Sequence, residues 1–217
     1  MLRIVGFAAL LSLAACAGPT RPAPSVSLVV APEPSPVWRD KVLPEDAARI
    51  DGLPITWNAA LAGVPRRARA TLAAEGKLVD SRAALDHPAL PPGAYRCRLV
   101  RLGGPAGRRG VVTFPSFFCS VGTGGEGGAL SFSKQTGSDL PAGWLHADGE
   151  GRYVFLGARQ AKPGDTSLVY GADRARDVAG VLERIGPFRW RLAVPNGTSG
   201  LDLYELTPVP VEGQPDA

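Results

Sequence analysis

A chain of 217 residues is long enough for one ordinary domain with appendages and short for two. Its 45% hydrophobic and 20% charged residues exclude both wholesale disorder and a membrane bundle. A formal charge of +4, one less once Arg3 leaves with the leader read below, is too small and too interspersed to point to nucleic acid.

The chain opens with Met1-Leu2-Arg3, a positive start, followed by an apolar stretch over residues 4–15 that ends in small residues, the layout of an export signal. It is too short for a permanent span, which takes about 20 apolar residues. Leu13-Ala14-Ala15-Cys16 resembles a lipobox, as in bacterial lipoproteins. That resemblance implies cleavage after residue 15 and acylation of Cys16, and Ala17 in place of Asp implies the periplasmic face of the outer membrane. Several acyl chains hold durably where a single one holds only marginally. The competing reading is ordinary secretion, with Cys16 merely lying inside the signal.

Residues 17–36 are rich in Pro, Ala and Ser and read as a semi-extended tether with a reach of about 60 Å in polyproline geometry. Leu28-Val29-Val30 within it is the one run that an edge strand could use. From residue 37 to 90 the pattern is helical. Pro44-Glu45-Asp46 suits a first turn, Asp51-Gly52 marks a stop, and Leu53, Trp57, Leu61, Val64, Ala68 and Leu72 form one apolar stripe that ends at Gly76. Pro65 should kink or split that segment.

Residues 91–208 are dominated by short alternating runs punctuated by Gly, Pro and Asp. Strands are predicted over 94–102, 111–121, 129–134, 143–147, 152–158, 166–170, 178–185, 188–194 and 201–207. The fold class is therefore α+β and mainly β: an antiparallel meander closing into a small barrel of about eight or nine strands, with the N-terminal helices packed on it. In the strand at 188–194, Phe188, Trp190, Leu192 and Val194 take the buried side and Arg189 and Arg191 the wet side. Residues 209–217 read as a disordered tail.

A hairpin around Gly107-Arg108-Arg109-Gly110 places Cys97 opposite Cys119. Directly opposed residues have α-carbons about 4.5 to 5.5 Å apart, which a disulfide tolerates, and an exported protein meets oxidising conditions. A Cys97 to Cys119 disulfide is predicted, with two free buried thiols as the alternative.

Catalytic motifs dissolve on inspection. Gly122, Gly124 and Gly127 have dinucleotide-fold spacing, yet they lead into a strand and read as a hairpin loop. Ser131-Phe132-Ser133-Lys134 matches S-x-x-K, but on a strand residues three apart face opposite sides, so Lys134 cannot activate Ser131. The two histidines, His87 and His146, leave little for a triad or a zinc site. No metal or cofactor is called for. The acidic residues between Asp139 and Asp202 leave a carboxylate pair formally open, and Asp148-Gly149-Glu150-Gly151 reads as a turn.

Gly93-Ala94-Tyr95-Arg96-Cys97-Arg98, Phe114-Pro115-Ser116-Phe117-Phe118-Cys119, Lys134-Gln135-Thr136-Gly137-Ser138, Val154-Phe155-Leu156-Gly157 and Arg189-Trp190-Arg191-Leu192 occur together. In combination they resemble the bacterial domain-of-unknown-function family numbered 4893, over roughly residues 37–208. That resemblance implies kinship and an envelope location and supplies no mechanism.

The reading is then a periplasm-facing lipoprotein, non-enzymatic, held to the membrane by its acyl chains and binding a small ligand or an envelope protein. Its candidate ligand site is the loop and strand end at Lys134, Thr136, Gly137 and Ser138, near Trp144, with a self-capped polar turn as the competing interpretation. Two other classes stay open: an envelope hydrolase using paired carboxylates, and a structural or assembly lipoprotein with a filled barrel.

Overall fold

The computed structural model describes residues 37–103, 110–162 and 169–210. The leader, Cys16, the tether, the 107–109 part of the hairpin tip and residues 211–217 lie outside the described residues.

Nine antiparallel strands form one sheet: β1 Gly93–Leu102, β2 Val111–Thr113, β3 Phe117–Gly122, β4 Leu130–Lys134, β5 Leu140–Asp148, β6 Arg152–Gln160, β7 Asp177–Gly186, β8 Arg189–Asn196 and β9 Gly200–Pro208. Each strand from β3 to β9 pairs with its sequence neighbour, and β1 pairs with β3 on one side and β9 on the other. Eight strands thus close a barrel, and the short β2 continues along the far half of β1 as a ninth. A closed meander leaves no free edge, which is how such sheets avoid aggregation.

The strand count agrees with expectation, but two boundaries differ. The run predicted at 111–121 is broken at Phe114-Pro115-Ser116, where Pro115 has no N–H to donate. The strand predicted at 166–170 is not formed at Val169 and Tyr170, which sit in a loop, while residues 166–168 lie outside the described residues. Just after β9, Val209 is buried and its N–H donates to the Ala94 carbonyl.

The disulfide joins Cys97 and Cys119 as predicted, but in a different register. Cys97 stands opposite Phe117, and Cys119 opposite Tyr95. The two cysteines are diagonal neighbours with α-carbons 6.1 Å apart, still within disulfide reach. A slip of two residues keeps both side chains on the same face, so the bond lies inside the barrel all the same.

Side-chain alternation sorts the apolar residues into two cores. The inner one is aromatic: Phe117, Phe132, Phe155, Tyr95, Trp190 and Tyr204 pack with the disulfide and with Leu145, Leu182, Leu192 and Leu206. Three edge-to-face pairs, Tyr95–Trp190, Phe117–Tyr204 and Phe132–Phe155, fill the lumen at centroid separations of 5.5 to 6.3 Å. Gly143 and Gly157 make room for these rings, since a Cβ on Gly157 would fall 2.6 Å from the Phe155 ring. The segment Pro88–Pro91 stoppers one end, where Trp190 Nε1 donates to Pro88 O at 2.8 Å and the Tyr95 hydroxyl donates to Pro91 O at 2.5 Å. Burial pushes the Tyr95 phenol up to about 12.

The second core lies on the outer wall, under the N-terminal part. Helices α1 (Pro44–Asp51), α2 (Leu53–Ala62) and α3 (Arg69–Ala74) lead one into the next, with Pro65 ending the α2 segment as its missing N–H demands. Leu53, Trp57, Val64 and Leu72 of the predicted stripe are buried, together with Trp38 and Ile50, against Val100, Leu102, Val181, Ala193, Leu201 and Leu203.

This cover overturns the expectation that Arg191 is wet. Arg191 is 0% exposed. It points outward from β8 but meets the helical layer, where its guanidinium bonds Glu183 and the carbonyls of Lys77, Leu78 and Asp80. A strand's outer face is wet only where nothing is packed on it.

Candidate functional site

The lumen is filled, so the space for a ligand lies outside the barrel. Beyond the helical cover, the outer faces of β4 and β5 present Ser131, Ser133, Ala142, Trp144 and His146, bordered by Leu156 of β6, which also belongs to the core under the N-terminal part. Ser131 stands opposite Trp144, which stands opposite Leu156. His146 lies one outward position further along β5. The 3-10 turn Val37–Asp40 with Lys41, the glycine loop after β3, and Val169-Tyr170 rise around this patch. Together they enclose a groove of about 800 Å³, within the range of small-molecule sites.

Three features of the groove matter chemically. Trp144 is 41% exposed, while Trp38, Trp57 and Trp190 are buried. Its ring is backed by Gly125, where a Cβ would come within 2.7 Å of Cε3; only glycine lets the loop approach so closely. His146 is 7% exposed, and its imidazole has no hydrogen-bond partner among the described residues. Burial holds its imidazole below the usual value of 6.5, nearby Lys41 lowers it further, and Glu126 opposes both. At the rim, Lys41 Nζ bonds Glu126 Oε2 at 2.6 Å, so one cation and one anion neutralise each other across the entrance.

Further along the wall Gln160 lines the groove with its carboxamide oxygen covered and unpaired. Gln135 donates to the Ser133 hydroxyl, which leaves Ser131 as the free hydroxyl beside Trp144. Tyr170 closes one side. Its hydroxyl donates to Asp46 at 2.7 Å and accepts from the Leu43 N–H at 3.1 Å, which ties the loop to the start of α1. Burial and the Asp46 carboxylate push the Tyr170 phenol well above its ordinary range.

The residues selected from sequence do not converge. Lys134 points into the barrel, where its ammonium donates to the carbonyls of Ser138 and Asp139 and lies 4.3 Å from the Phe117 ring. Burial lowers its pKa. Thr136 accepts from the Phe118 N–H at 3.1 Å, and Gly137 turns the chain with φ near +87°. Lys134, Thr136, Gly137 and Ser138 thus form a turn whose polar groups are taken up by Phe118 and by the turn's own carbonyls. Trp144 is on the opposite side of the wall, in the groove.

His146, Lys41, Glu126 and Gln160 were missed. A signal existed for one of them, because Trp144 and His146 are two apart on a strand and so share a face. Lys41 and Glu126 are 85 positions apart, and only the closed fold brings them together.

A smaller cavity of about 200 Å³ lies by Arg49, Arg159 and Arg174. Each of these guanidinia is engaged by carboxylate: Arg49 and Arg174 by Asp46, Arg174 also by Asp177, and Arg159 by Asp139. Among the described residues no group of three or more His, Cys, Asp or Glu is placed to hold a metal.

A model of the family described as domain of unknown function (DUF4893) matches residues 38–206. The chain belongs to this family. None of the curated proteins and none of the solved structures matches it. The DUF4893 domain therefore takes in Trp38, all three helices and nearly the whole barrel, and the groove from Lys41 to Tyr170 lies within it.

Proposed function

We propose that this DUF4893 protein is a non-enzymatic binding module of the bacterial envelope, anchored through an acylated Cys16 at the periplasmic face of the outer membrane. Its ligand is a small, uncharged molecule held in the groove on the outer wall of β4 to β6. One observation carries the reading: a pocket of ligand size holds an exposed tryptophan and a histidine that is more than nine-tenths buried and has no side-chain hydrogen-bond partner among the described residues. Beside them the covered carboxamide oxygen of Gln160 has no partner; such a buried group costs about 1 to 3 kcal/mol, and a ligand that bonds it recovers that cost.

The carboxylates that approach one another favour binding over acid-base hydrolysis. Glu75 and Glu205 both grip Arg98, and Asp46 and Asp177 both grip Arg174. Such pairs fasten helix, loop and barrel together, with a guanidinium standing where a substrate would have to sit.

Trp144 supplies the assay, because it is the exposed one of the four tryptophans. The purified protein is titrated with neutral sugars, with a fatty acid and with short peptides while indole emission is followed. A saturable change with any of them, lost in Trp144→Phe, supports the groove as a binding site. No change with any of them overturns it.

A further inference from the structure

Resting on that binding reading, we infer that the ligand class is a neutral saccharide, which stacks a sugar ring on Trp144 and is hydrogen-bonded by His146. The groove presents one flat aromatic face on a floor of small side chains, with Gly125, Ala129, Ser131 and Ala142 around it. A ring with one C–H face and a rim of hydroxyls matches that surface. The apolar face covers the indole, and the hydroxyls reach the polar groups at its edge.

The hydrogen-bonding inventory narrows the choice. Neutral His146 offers one donor and one acceptor, Ser131 offers both, and the Gln160 carboxamide oxygen needs a donor. An acyl chain would cover these groups and satisfy none of them, at the cost of leaving each unpaired. Sugar hydroxyls and acetamido groups donate and accept along one edge.

Charge and topology exclude the other common ligands. The rim charges, Lys41 and Glu126, are spent on each other, so among the described residues that line the groove no unpaired cation waits for a phosphate or carboxylate. A peptide binding by strand addition needs an open sheet edge, and β4, β5 and β6 are each paired on both sides.

The test is calorimetric titration of the full-length protein with fully acetylated chitotriose and with maltotriose, beside laurate and an uncharged tripeptide. Saturable binding of at least one trisaccharide is expected. It should weaken about tenfold in Trp144→Ala and about tenfold in His146→Ala, and be largely retained in Trp144→Phe. Circular dichroism of each variant confirms the fold, and Trp144→Ala removes a half-exposed side chain, so the pair of variants does not hinge on His146 alone. Binding of laurate or the tripeptide with neither trisaccharide overturns the saccharide assignment and leaves the groove standing. Trisaccharide binding indifferent to both alanine variants also overturns the assignment. Silence with all four ligands overturns the assignment and the groove together.

Discussion

The guanidinium of Arg191 stands 4.4 Å from the centroid of the Trp57 ring, and through this contact a strand of the barrel is fastened to the helix that covers it. The same guanidinium is bonded to Glu183 at 2.6 Å and to the carbonyl of Asp80, also at 2.6 Å. A planar, always-charged fork can serve a carboxylate, several carbonyls and an aromatic face at once.

Truncating Arg191 should therefore be among the most damaging single changes. Arg191→Ala leaves Glu183 and the carbonyls at the end of the helical part without their partner, and a loss of about 3 to 5 kcal/mol is expected. Arg191→Lys should restore only part of it, since an ammonium lacks the fork. Urea unfolding of the three proteins decides the point, and equal stability of the lysine variant and the wild type would contradict it.

The disulfide closes a loop with a sequence separation of 22, and its loss is expected to cost about 3 kcal/mol through the entropy of the unfolded chain. Non-reducing peptide mapping should join the Cys97 and Cys119 peptides. Reduction should lower the urea midpoint without opening the groove.

Gly157 is opposite Gly143 across β5 and β6, and both face the aromatic lumen. A methyl group on Gly157 would come 2.3 Å from the Ala142 carbonyl oxygen. Gly157→Ala is expected to destabilise by about 1 to 3 kcal/mol through overpacking, read as a lowered thermal midpoint.

His146 makes stability depend on pH in a predictable direction. Its folded pKa lies below 6.5, because burial and Lys41 disfavour the imidazolium more than Glu126 favours it. The unfolded chain therefore binds the proton first as the medium is acidified, and stability falls as pH drops from about 6.5 toward the folded value. His146→Gln should flatten that segment of the stability profile measured by urea unfolding between pH 7 and 5. An unchanged slope would show that the imidazole is not the titrating group.

Anchoring has its own test. Cys16→Ser should move the product from the membrane fraction to the soluble one, and unchanged fractionation would count against acylation.

Alternation and turn chemistry made the barrel legible. The glycine and proline punctuation between residues 93 and 208, and the two-residue period inside it, were enough for an antiparallel closed sheet. The helical stripe was equally clear, and so was its break at Pro65. Periodicity says which residues share a face and nothing about what is packed on that face. Arg191 was placed in water for that reason, although the helical layer covers it completely.

The candidate site shows the same division. Trp144 was named from sequence, but beside Lys134, which the strand period puts inside the wall. Locally, the amino-acid sequence by itself determined most of the strands, the split helices and the cysteine pair, because each depends on neighbours along the chain or on one hairpin. The tertiary structure alone decided that the lumen is solid, that the groove lies outside it, and that Lys41 meets Glu126 beside His146. Those relations join residues far apart in the chain, and closing the barrel is the physical event that brings them together.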